Sequence, residues 1–329
     1  MNESRVMTRS VALLSGDLDG AVAAALIQTQ GVQVFGLAFA TQFSPVADAA
    51  RRSADQLQIP LRVVQPSPTE YLQLIARPRF GYGKGANPCG DCRLAMLAAA
   101  VEYLTELEAQ FVVTGEVLGQ KMMGQKRSHL EMMEHHAGIP GRLVRPLSAQ
   151  LLTPTLPETE GLIDRSQLLA IHGSGRRQIR ALGQRFGLTG SEKGAARCRL
   201  VDPAYGRRLR TALVSRLPAA WLLPGLFEIR QHQWSEDRGL ILLGRNQDEN
   251  DRLGQLFLAL PADPTILLAT PIGFHGPTVL SVGLSFAEAE PKIAGELRKK
   301  GFPAEVGERL ALSDKSNDWV MRLVRESPV

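Results

Sequence analysis

The chain has few cysteines and few aromatic residues, and it has no long hydrophobic run. Three cysteines among 329 residues are an odd number that does not suit a secreted disulfide scaffold, so we expect a reducing compartment. No apolar stretch reaches the roughly 18 residues that a membrane span needs. The polar first ten residues do not suit a secretory signal. These absences predict a soluble, cytoplasmic protein with no membrane partner.

Positive charge is concentrated in the first two thirds of the chain. Residues 225–329 hold 12 Lys and Arg against 15 Asp and Glu, and residues 1–224 hold the remaining 26 against 18. Residues 165–210 alone carry eleven basic and two acidic side chains. This density favours a polyanion as the partner, and a solvated helix face with ordinary arginines is the alternative.

Short β-rich runs alternate with helical runs over the first third of the chain. The runs SVALL, VQVFGLAF, LRVVQ and QFVVTG are typical of buried strands. The alternation predicts a doubly wound α/β domain with a parallel sheet. We assign residues 1–160 to this domain, residues 161–220 to a basic helical extension and residues 221–329 to a smaller α+β domain.

The turn after the first predicted strand has the pattern of an anion site. Ser15–Gly20 joins a strand to a helix, whose free amide groups and dipole attract a phosphate. Asp17 and Asp19 place carboxylates where a phosphate needs bare backbone. Two unit charges about 4 Å apart repel by about 4 kcal/mol at an effective dielectric of about 20. Asp17 either turns away from the ligand or helps to hold magnesium.

The three cysteines have the spacing of a metal or redox site. Cys89 and Cys92 form a CxxC pair before a predicted helix, and Cys198 follows more than a hundred residues later. If the three meet, they suit a four-iron cluster with one open iron, or zinc with a histidine as fourth ligand. A redox or incidental role is a further alternative. The candidate histidines are His129, His135, His136 and His172.

Several long stretches carry a resemblance to a known family. They include GYGKGANPCGDCRLAML, VVTGEVLGQKMMGQKRSHLEMME, RLVRPLSAQLLTPTLPETEG and DRSQLLAIHGSGRRQIRALGQRFGL. Across residues 10–210 the chain resembles PP-loop ATPases related to the tRNA thiolation enzymes. The resemblance implies a HUP/PP-loop fold. Ser15–Gly20 is similar to the family's SGGxDS loop but departs from it at Asp17 and Gly20.

The family resemblance also implies which residues form the site. It implies that Cys89, Cys92 and Cys198 ligate a 4Fe-4S cluster, with zinc as the alternative, and that Asp19 and the cysteines are catalytic. ATP and magnesium would be held by Ser15, Gly16, Asp19, Gly20, Thr114, Gly115 and Glu116. RNA would contact Lys126, Arg127, Arg176, Arg177 and Arg180, the last three within the basic segment.

The resemblance implies an ATP-dependent transferase that adenylates a tRNA uridine and replaces the activated oxygen with sulfur from a donor protein or sulfide. Because Asp17 and Gly20 depart from the family loop, a second hypothesis is a non-catalytic, cluster-bearing or zinc-bearing RNA-binding protein. A homodimer is one option for its assembly. Residues 221–329 resemble the NFACT-R RNA-binding domain, mainly through GLILLGRNQDENDRL.

Overall fold

The computed structural model describes most of the chain. The described residues are 7–120, 125–189, 198–235, 238–271, 275–301, 310–314 and 322–323. The chain divides into two compact units, Met1–Val201 and Asp202–Val329. The three-part division with boundaries at residues 160 and 220 stays a prediction.

A five-stranded parallel sheet forms the centre of the first unit. Its strands are β1 (Arg9–Leu13), β2 (Gln33–Phe39), β3 (Leu61–Val64), β4 (Phe111–Val113) and β5 (Leu143–Val144). They lie in the order β3-β2-β1-β4-β5, and neighbouring strands are parallel. The order reverses between β1 and β4, which is where doubly wound sheets bind ligands. The predicted α/β fold class is confirmed.

Helices connect these strands in the described part of the first unit. They are α1 (Leu18–Gln28), α2 (Ala47–Leu57), α3 (Pro68–Ala76), α4 (Cys89–Leu107), α5 (Arg127–His136), α6 (Leu156–Thr159) and α7 (Arg176–Arg185). Short 3₁₀ turns lie at Ala149–Leu151, Arg165–Gln167 and Arg199–Val201. Sequence signals set some helix starts. At α3, the Ser67 hydroxyl accepts the Glu70 amide, and the Glu70 carboxylate accepts the Ser67 amide.

Alternate side chains of β1 enter different hydrophobic cores, as the two-residue period of a strand requires. Val11 shares a cluster with Leu97 of α4, whereas Ala12 shares one with Val22 and Ile27 of α1. Helix α1 is buried from Gly20 to Ile27, because α7 packs against it in addition to the sheet. This burial fixes the N-terminus of α1 at the carboxyl end of β1.

The second unit is built on an antiparallel sheet. Its strands are β6 (Gln231–Ser235), β7 (Gly239–Leu243), β8 (Ile266–Pro271), β9 (Val279–Val282), β10 (Leu310–Asp314) and β11 (Arg322–Leu323), in the order β11-β10-β8-β9-β7-β6. Its helices are α8 (Pro203–Leu213), α9 (Gln247–Ala259) and α10 (Phe286–Lys299), with 3₁₀ turns at Ala219–Trp221 and Pro224–Glu228. The predicted smaller α+β domain is confirmed.

The signals that define α9 and α10 are local. The Asn246 side chain accepts the Glu249 amide at 2.9 Å and so caps α9. Ala289, Ile293 and Leu297 lie at helical spacing on α10 and share a cluster with β7. This one-sided apolar stripe anchors the helix on the sheet.

No helix among the described residues has the length and apolar character needed to cross a membrane.

A glycine-to-alanine substitution should destabilise the protein at Gly115, which packs closely against α1, and stabilise it at Gly254. A Cβ at Gly115 would lie 2.4 Å from the Asp19 carbonyl carbon and from the Gly20 nitrogen. We expect Gly115→Ala to lower the free energy of unfolding by about 1–3 kcal/mol, the usual cost of overpacking. Gly254→Ala on α9 meets nothing within 4 Å, and it should raise that free energy by about 0.5–1 kcal/mol. Urea unfolding measures both, and unchanged stability in Gly115→Ala would contradict the close approach.

Candidate functional site

A crevice of about 440 Å³ lies at the carboxyl ends of β1 and β4. The loop after β1 lines it with Ser15, Asp17, Asp19 and Gly20, and the loop after β4 lines it with Thr114, Gly115 and Glu116. Cys89, Cys92 and Cys198 line the same crevice. The structure therefore brings together every predicted catalytic residue and every predicted cofactor-binding residue except Gly16, which lies within the first loop between two lining residues.

The loop after β1 keeps the backbone shape of an anion site. Gly16 has a φ of 80°, a left-handed conformation that favours glycine. Asp17 precedes α1 in an extended conformation, and within the described residues its carboxylate does not cap the helix. Instead it accepts a hydrogen bond of 3.1 Å from the Ser15 hydroxyl. The start of α1 thus has the geometry of an anion site.

Neighbouring groups fix two further residues of this loop, Asp19 and Gly20. The Gln120 amide donates to Asp19 Oδ2 at 2.8 Å, so Gln120 orients that carboxylate. Gly20 is buried, and a Cβ there would lie 3.0 Å from the Leu13 carbonyl oxygen. Glycine at position 20 therefore allows α1 to start close to β1. This packing gives the departure from the family's serine a structural reason.

Two buried polar groups that line the crevice lack a partner in the described part of the chain. They are the Thr114 hydroxyl and the Gln125 side-chain oxygen, on residues that are 5% and 3% exposed. Buried polar atoms are nearly always hydrogen-bonded. A polar ligand in the crevice would supply the missing partners.

A chain of ion pairs runs behind the crevice. Arg93 contacts Glu116 at 2.9 Å, and Arg145 contacts the other oxygen of Glu116 at 3.0 Å. Arg145, only 4% exposed, also pairs with Glu134. Burial opposes the charge on Arg145, yet Glu116 and Glu134 outweigh it and raise the pKa of this guanidinium. Glu116 is therefore fixed between two arginines, one of which faces the cysteines.

Cys198 reaches the CxxC pair through backbone hydrogen bonds. Cys89 and Cys92 lie in the first turn of α4, where aligned amide groups favour a thiolate. The Arg199 amide donates to the Phe43 carbonyl at 2.9 Å, and the Leu200 carbonyl accepts the Ala86 amide at 2.9 Å. These two bonds attach the segment after Cys198 to the rim of the crevice.

The thiols differ in exposure and in protonation. Tyr71 donates to Cys92 Sγ at 3.3 Å, and the Asn87 amide donates to Cys89 Sγ at 3.1 Å. Burial raises the pKa of Cys92 despite the hydrogen bond from Tyr71. Burial also raises the pKa of Cys198, to about 11. Cys89 is exposed. The two less exposed sulfurs are thus neutral thiols at neutral pH.

The donor set suits a thiophilic metal, whereas its placement is not that of a preformed site. Three thiols that share one crevice are the ligands that iron-sulfur clusters and zinc prefer. Among the described residues, however, no three His, Cys, Asp or Glu side chains are arranged to hold a metal ion. The four candidate histidines are not among the residues that line the crevice. Zinc binding with a histidine as the fourth ligand stays a prediction.

The predicted RNA-binding residues are not among the residues that line the crevice. Lys126 and Arg127 are exposed at the start of α5. Arg176, Arg177 and Arg180 are exposed on α7, whose Ile179 and Gly183 are buried. Helix α7 contains no acidic residue, so its outer face is basic.

Sequence reasoning missed four residues that shape the site. Arg93 directly follows Cys92, and this position next to the CxxC pair is the signal in the sequence that could have identified it. Tyr71 and Asn87 contact thiols from outside the CxxC motif, and Arg145 acts on the crevice through Glu116. Tertiary packing alone brings Tyr71 and Arg145 to these positions.

Comparison with known proteins finds similarity over part of the chain. Residues 8–137 match the model of the tRNA methyl transferase HUP domain family. The tRNA-specific 2-thiouridylase MnmA of Trichlorobacter lovleyi is 26% identical over 57% of this chain and 52% of its own length. The protein of the same name from Symbiobacterium thermophilum is 25% identical over 67% of this chain and 58% of its own length. The chain spans little more than half the length of these relatives.

Two solved structures are also similar in fold. One is a 4-thiouridine synthetase in complex with RNA and ATP, with 19% identity over 60% of this chain and 46% of that one, at a TM-score of 0.40. The other is a predicted subunit of tRNA methyltransferase from Methanocaldococcus jannaschii, with 15% identity over 56% of this chain and 90% of that one, at a TM-score of 0.32. The chain is thus similar to a tRNA methyl transferase HUP domain over residues 8–137 and to tRNA-specific 2-thiouridylases over part of its length.

The burial of the thiols predicts the order in which they react. In metal-free protein at pH 8, iodoacetamide should alkylate Cys89 first and Cys198 last. The raised pKa of Cys198, about 11 against an ordinary 9.0, leaves it about a hundredfold less thiolate. Burial favours the neutral thiol of Cys198 over its thiolate. The contribution of this thiol to folding stability is therefore present below pH 9 and is lost as the pH rises through about 11.

Mass spectrometry after timed alkylation measures each site. Protein unfolded in urea is the control, because all three thiols should then react at similar rates. Equal rates for Cys89 and Cys198 in the folded protein would contradict the described burial.

Proposed function

We propose that this chain is a tRNA-modifying sulfurtransferase that activates a uridine of tRNA with ATP and replaces the activated oxygen with sulfur. The observation that carries the proposal is the shared crevice: an anion-type loop and three thiols line one cavity at the switch point of the sheet. The names of the two relatives, tRNA-specific 2-thiouridylase, support tRNA as the substrate.

In the activation step, the loop after β1 would bind the phosphates of ATP. The first amides of α1 have no cap from Asp17, and they can donate to a phosphate. The uridine oxygen attacks the α-phosphorus, and pyrophosphate leaves. Gly20 and Gly115 keep the backbone accessible, because neither places a side chain in the crevice.

The charge of the crevice explains why ATP should enter with magnesium. Its charged lining residues are the acids Asp17, Asp19 and Glu116 and the base Arg93, apart from the titratable cysteines and tyrosine. Glu116 is already paired with Arg93 and Arg145. The carboxylates of Asp17 and Asp19 would therefore repel a bare triphosphate. Mg²⁺ binds carboxylate and phosphate oxygens together, so an ion held by Asp19 would remove the repulsion from that carboxylate and leave the repulsion from Asp17.

The three cysteines are proposed to hold a 4Fe-4S cluster, with zinc as the alternative. When bound, the cluster would supply an iron site that binds and delivers sulfur. The protein's own contribution is to orient the ligands: Tyr71 and Asn87 donate to two of the sulfurs, and such bonds tune a thiolate ligand. Because Cys92 and Cys198 have raised pKa values, cluster or zinc binding must release protons and should strengthen as the pH rises.

The sulfur transfer step balances without a redox partner. Hydrosulfide adds to the carbon whose oxygen carries AMP, the carbon–oxygen bond breaks, and AMP leaves with that oxygen. The hydrosulfide proton restores the ring N–H proton that adenylation removed, and no electron is gained or lost. Free sulfide or a donor protein that releases sulfide would supply the sulfur.

A second candidate function is a non-catalytic RNA-binding protein built on the same fold. Two observations favour it. The Asp17 carboxylate lines the crevice, and the packing of Gly20 against the Leu13 carbonyl leaves little room for the family's serine. In this reading, the exposed arginines of α7 and the thiol site are kept while ATP chemistry is lost. RNA binding by Lys126 and Arg127, a cytoplasmic location and a homodimer stay predictions in both readings.

The release of pyrophosphate from ATP and bulk tRNA under anaerobic conditions separates the two functions. We expect release that depends on tRNA, and we expect Asp17→Gly to increase it at least severalfold because a repelling carboxylate is removed. Cys198→Ser should keep the release of pyrophosphate and lose the thiolated product, detected by mass spectrometry of tRNA nucleosides.

Asp48→Asn is the matched control, because this exposed residue lies on α2 and pairs with Arg51 at the surface. If neither the natural protein nor Asp17→Gly releases pyrophosphate, the enzyme reading is wrong and the binding reading remains.

A further inference from the structure

The segment before the CxxC pair is a strongly basic loop with exposed aromatic surface. Residues 77–88 join α3 to α4 without helix or strand, and we call them the 77–88 loop. The loop contains Arg77, Arg79 and Lys84 and no acidic residue. The functional account above gives these residues no role.

The protein holds the backbone of this loop in one arrangement. The Asp91 carboxylate accepts the amides of Arg79 and Phe80 at 2.8 and 3.1 Å. The Asn87 carbonyl accepts the Gly83 amide at 3.0 Å, and the Asn87 side-chain oxygen accepts the Gly85 amide at 3.0 Å. The loop is thus preorganised by hydrogen bonds of its own amides, and the Arg79 guanidinium lies 5.5 Å from the centre of the Phe80 ring.

The basic side chains of the loop face solvent. Arg77, Arg79 and Lys84 are all exposed. In the part of the chain that the structure describes, none of the three has an acidic partner within ion-pair distance. Three unneutralised cations on one short loop attract phosphates.

Tyr82 lies between Arg79 and Lys84 in the sequence of the loop. It is 37% exposed, and its hydroxyl donates to the Ile75 carbonyl at 2.6 Å, which fixes the side chain. An exposed ring that is held in place offers a platform for one base. A base can stack on such a ring only if it is unpaired, so the arrangement favours single-stranded RNA over a duplex.

The 77–88 loop leads directly into the crevice. Asn87, Pro88 and Cys89 line the crevice, and Asn87 contacts both the loop backbone and the Cys89 sulfur. An RNA strand on the loop would therefore lie next to the site where sulfur is transferred.

We propose that the 77–88 loop binds a single-stranded segment of the RNA substrate, with Arg77, Arg79 and Lys84 on its phosphates and one base stacked on Tyr82. The proposal rests on the proposed function in one respect, namely that the substrate is RNA. It assigns the substrate's unpaired part to a surface that is separate from the basic face of α7.

The charge component is tested with the triple variant Arg77→Gln/Arg79→Gln/Lys84→Gln. The probe is an RNA hairpin with a single-stranded loop, and affinity is measured by fluorescence anisotropy over a range of salt concentrations. The variant should bind about tenfold or more weakly at low salt, and the slope of log affinity against log salt should fall by about 2, because each phosphate contact to a single strand contributes about 0.7.

The matched control is Arg51→Gln/Arg52→Gln/Arg142→Gln, which removes the same charge from exposed positions of the first unit. Arg142 precedes β5, at the end of the sheet opposite the crevice. The control should change affinity less than twofold and leave the slope nearly unchanged.

The stacking component is tested with Tyr82→Ala and Tyr82→Phe on the hairpin and on a fully paired duplex of equal length. Tyr82→Phe keeps the ring and loses the hydroxyl that bonds to Ile75, so it should bind like the natural protein. Tyr82→Ala should lose about fivefold or more on the hairpin and little on the duplex. Equal loss for both variants would show a structural role and overturn stacking.

The outcomes separate this proposal from the proposed function. If the natural protein binds the hairpin and the triple variant binds it equally well, the loop proposal is wrong while RNA remains the substrate. If the triple variant loses affinity for ATP and keeps its affinity for RNA, the loop binds nucleotide phosphates and the proposal is also wrong. If the natural protein binds no RNA even at low salt, both proposals fail.

Discussion

Two loops that begin at the carboxyl ends of neighbouring parallel strands approach each other so closely that their backbones are in contact. Gly115 lies against the Asp19–Gly20 peptide, where no side chain fits, and Gly20 itself lies against the Leu13 carbonyl. This contact sets the position of the α1 N-terminus relative to β4. The anion-type loop, the Glu116 ion pairs and the crevice between them depend on it, because each belongs to one of the two loops.

Electrostatic balance around the crevice follows from this geometry. Glu116 would be costly to bury alone, but Arg93 and Arg145 contact its two oxygens, and Glu134 completes the chain behind Arg145. Truncating one partner of such a buried set leaves a charge uncompensated. In the first loop, Asp17 accepts a hydrogen bond from Ser15, and Asp19 accepts one from Gln120. Ion pairs therefore fix the Glu116 side of the crevice, whereas the Asp17 side is acidic. This arrangement is consistent with a phosphate that binds together with a cation.

The sequence was sufficient for the fold and for the meeting of the two loops that follow β1 and β4, because both depend on the periodicity of the strands. Buried runs such as SVALL end at the switch point of a doubly wound sheet, so Ser15 and Thr114 had to meet there. Contacts that depend on tertiary packing could not be predicted from the periodicity of the sequence. Nothing near Tyr71 marks it as a partner of Cys92, and Gly20 looks like a loss of function until its distance to the Leu13 carbonyl is known. The segment that carries Cys198 to the crevice has no periodic signal either.

The central claim is that three distant thiols act as one metal site beside a nucleotide-type loop. Iron, sulfide and zinc contents of anaerobically prepared protein, compared between the natural chain and Cys198→Ser, test it most directly. The account predicts close to four iron and four sulfide per chain in the natural protein, and loss of most of both in the variant. Protein that contains neither iron nor zinc, or a metal content that Cys198→Ser leaves unchanged, would contradict it.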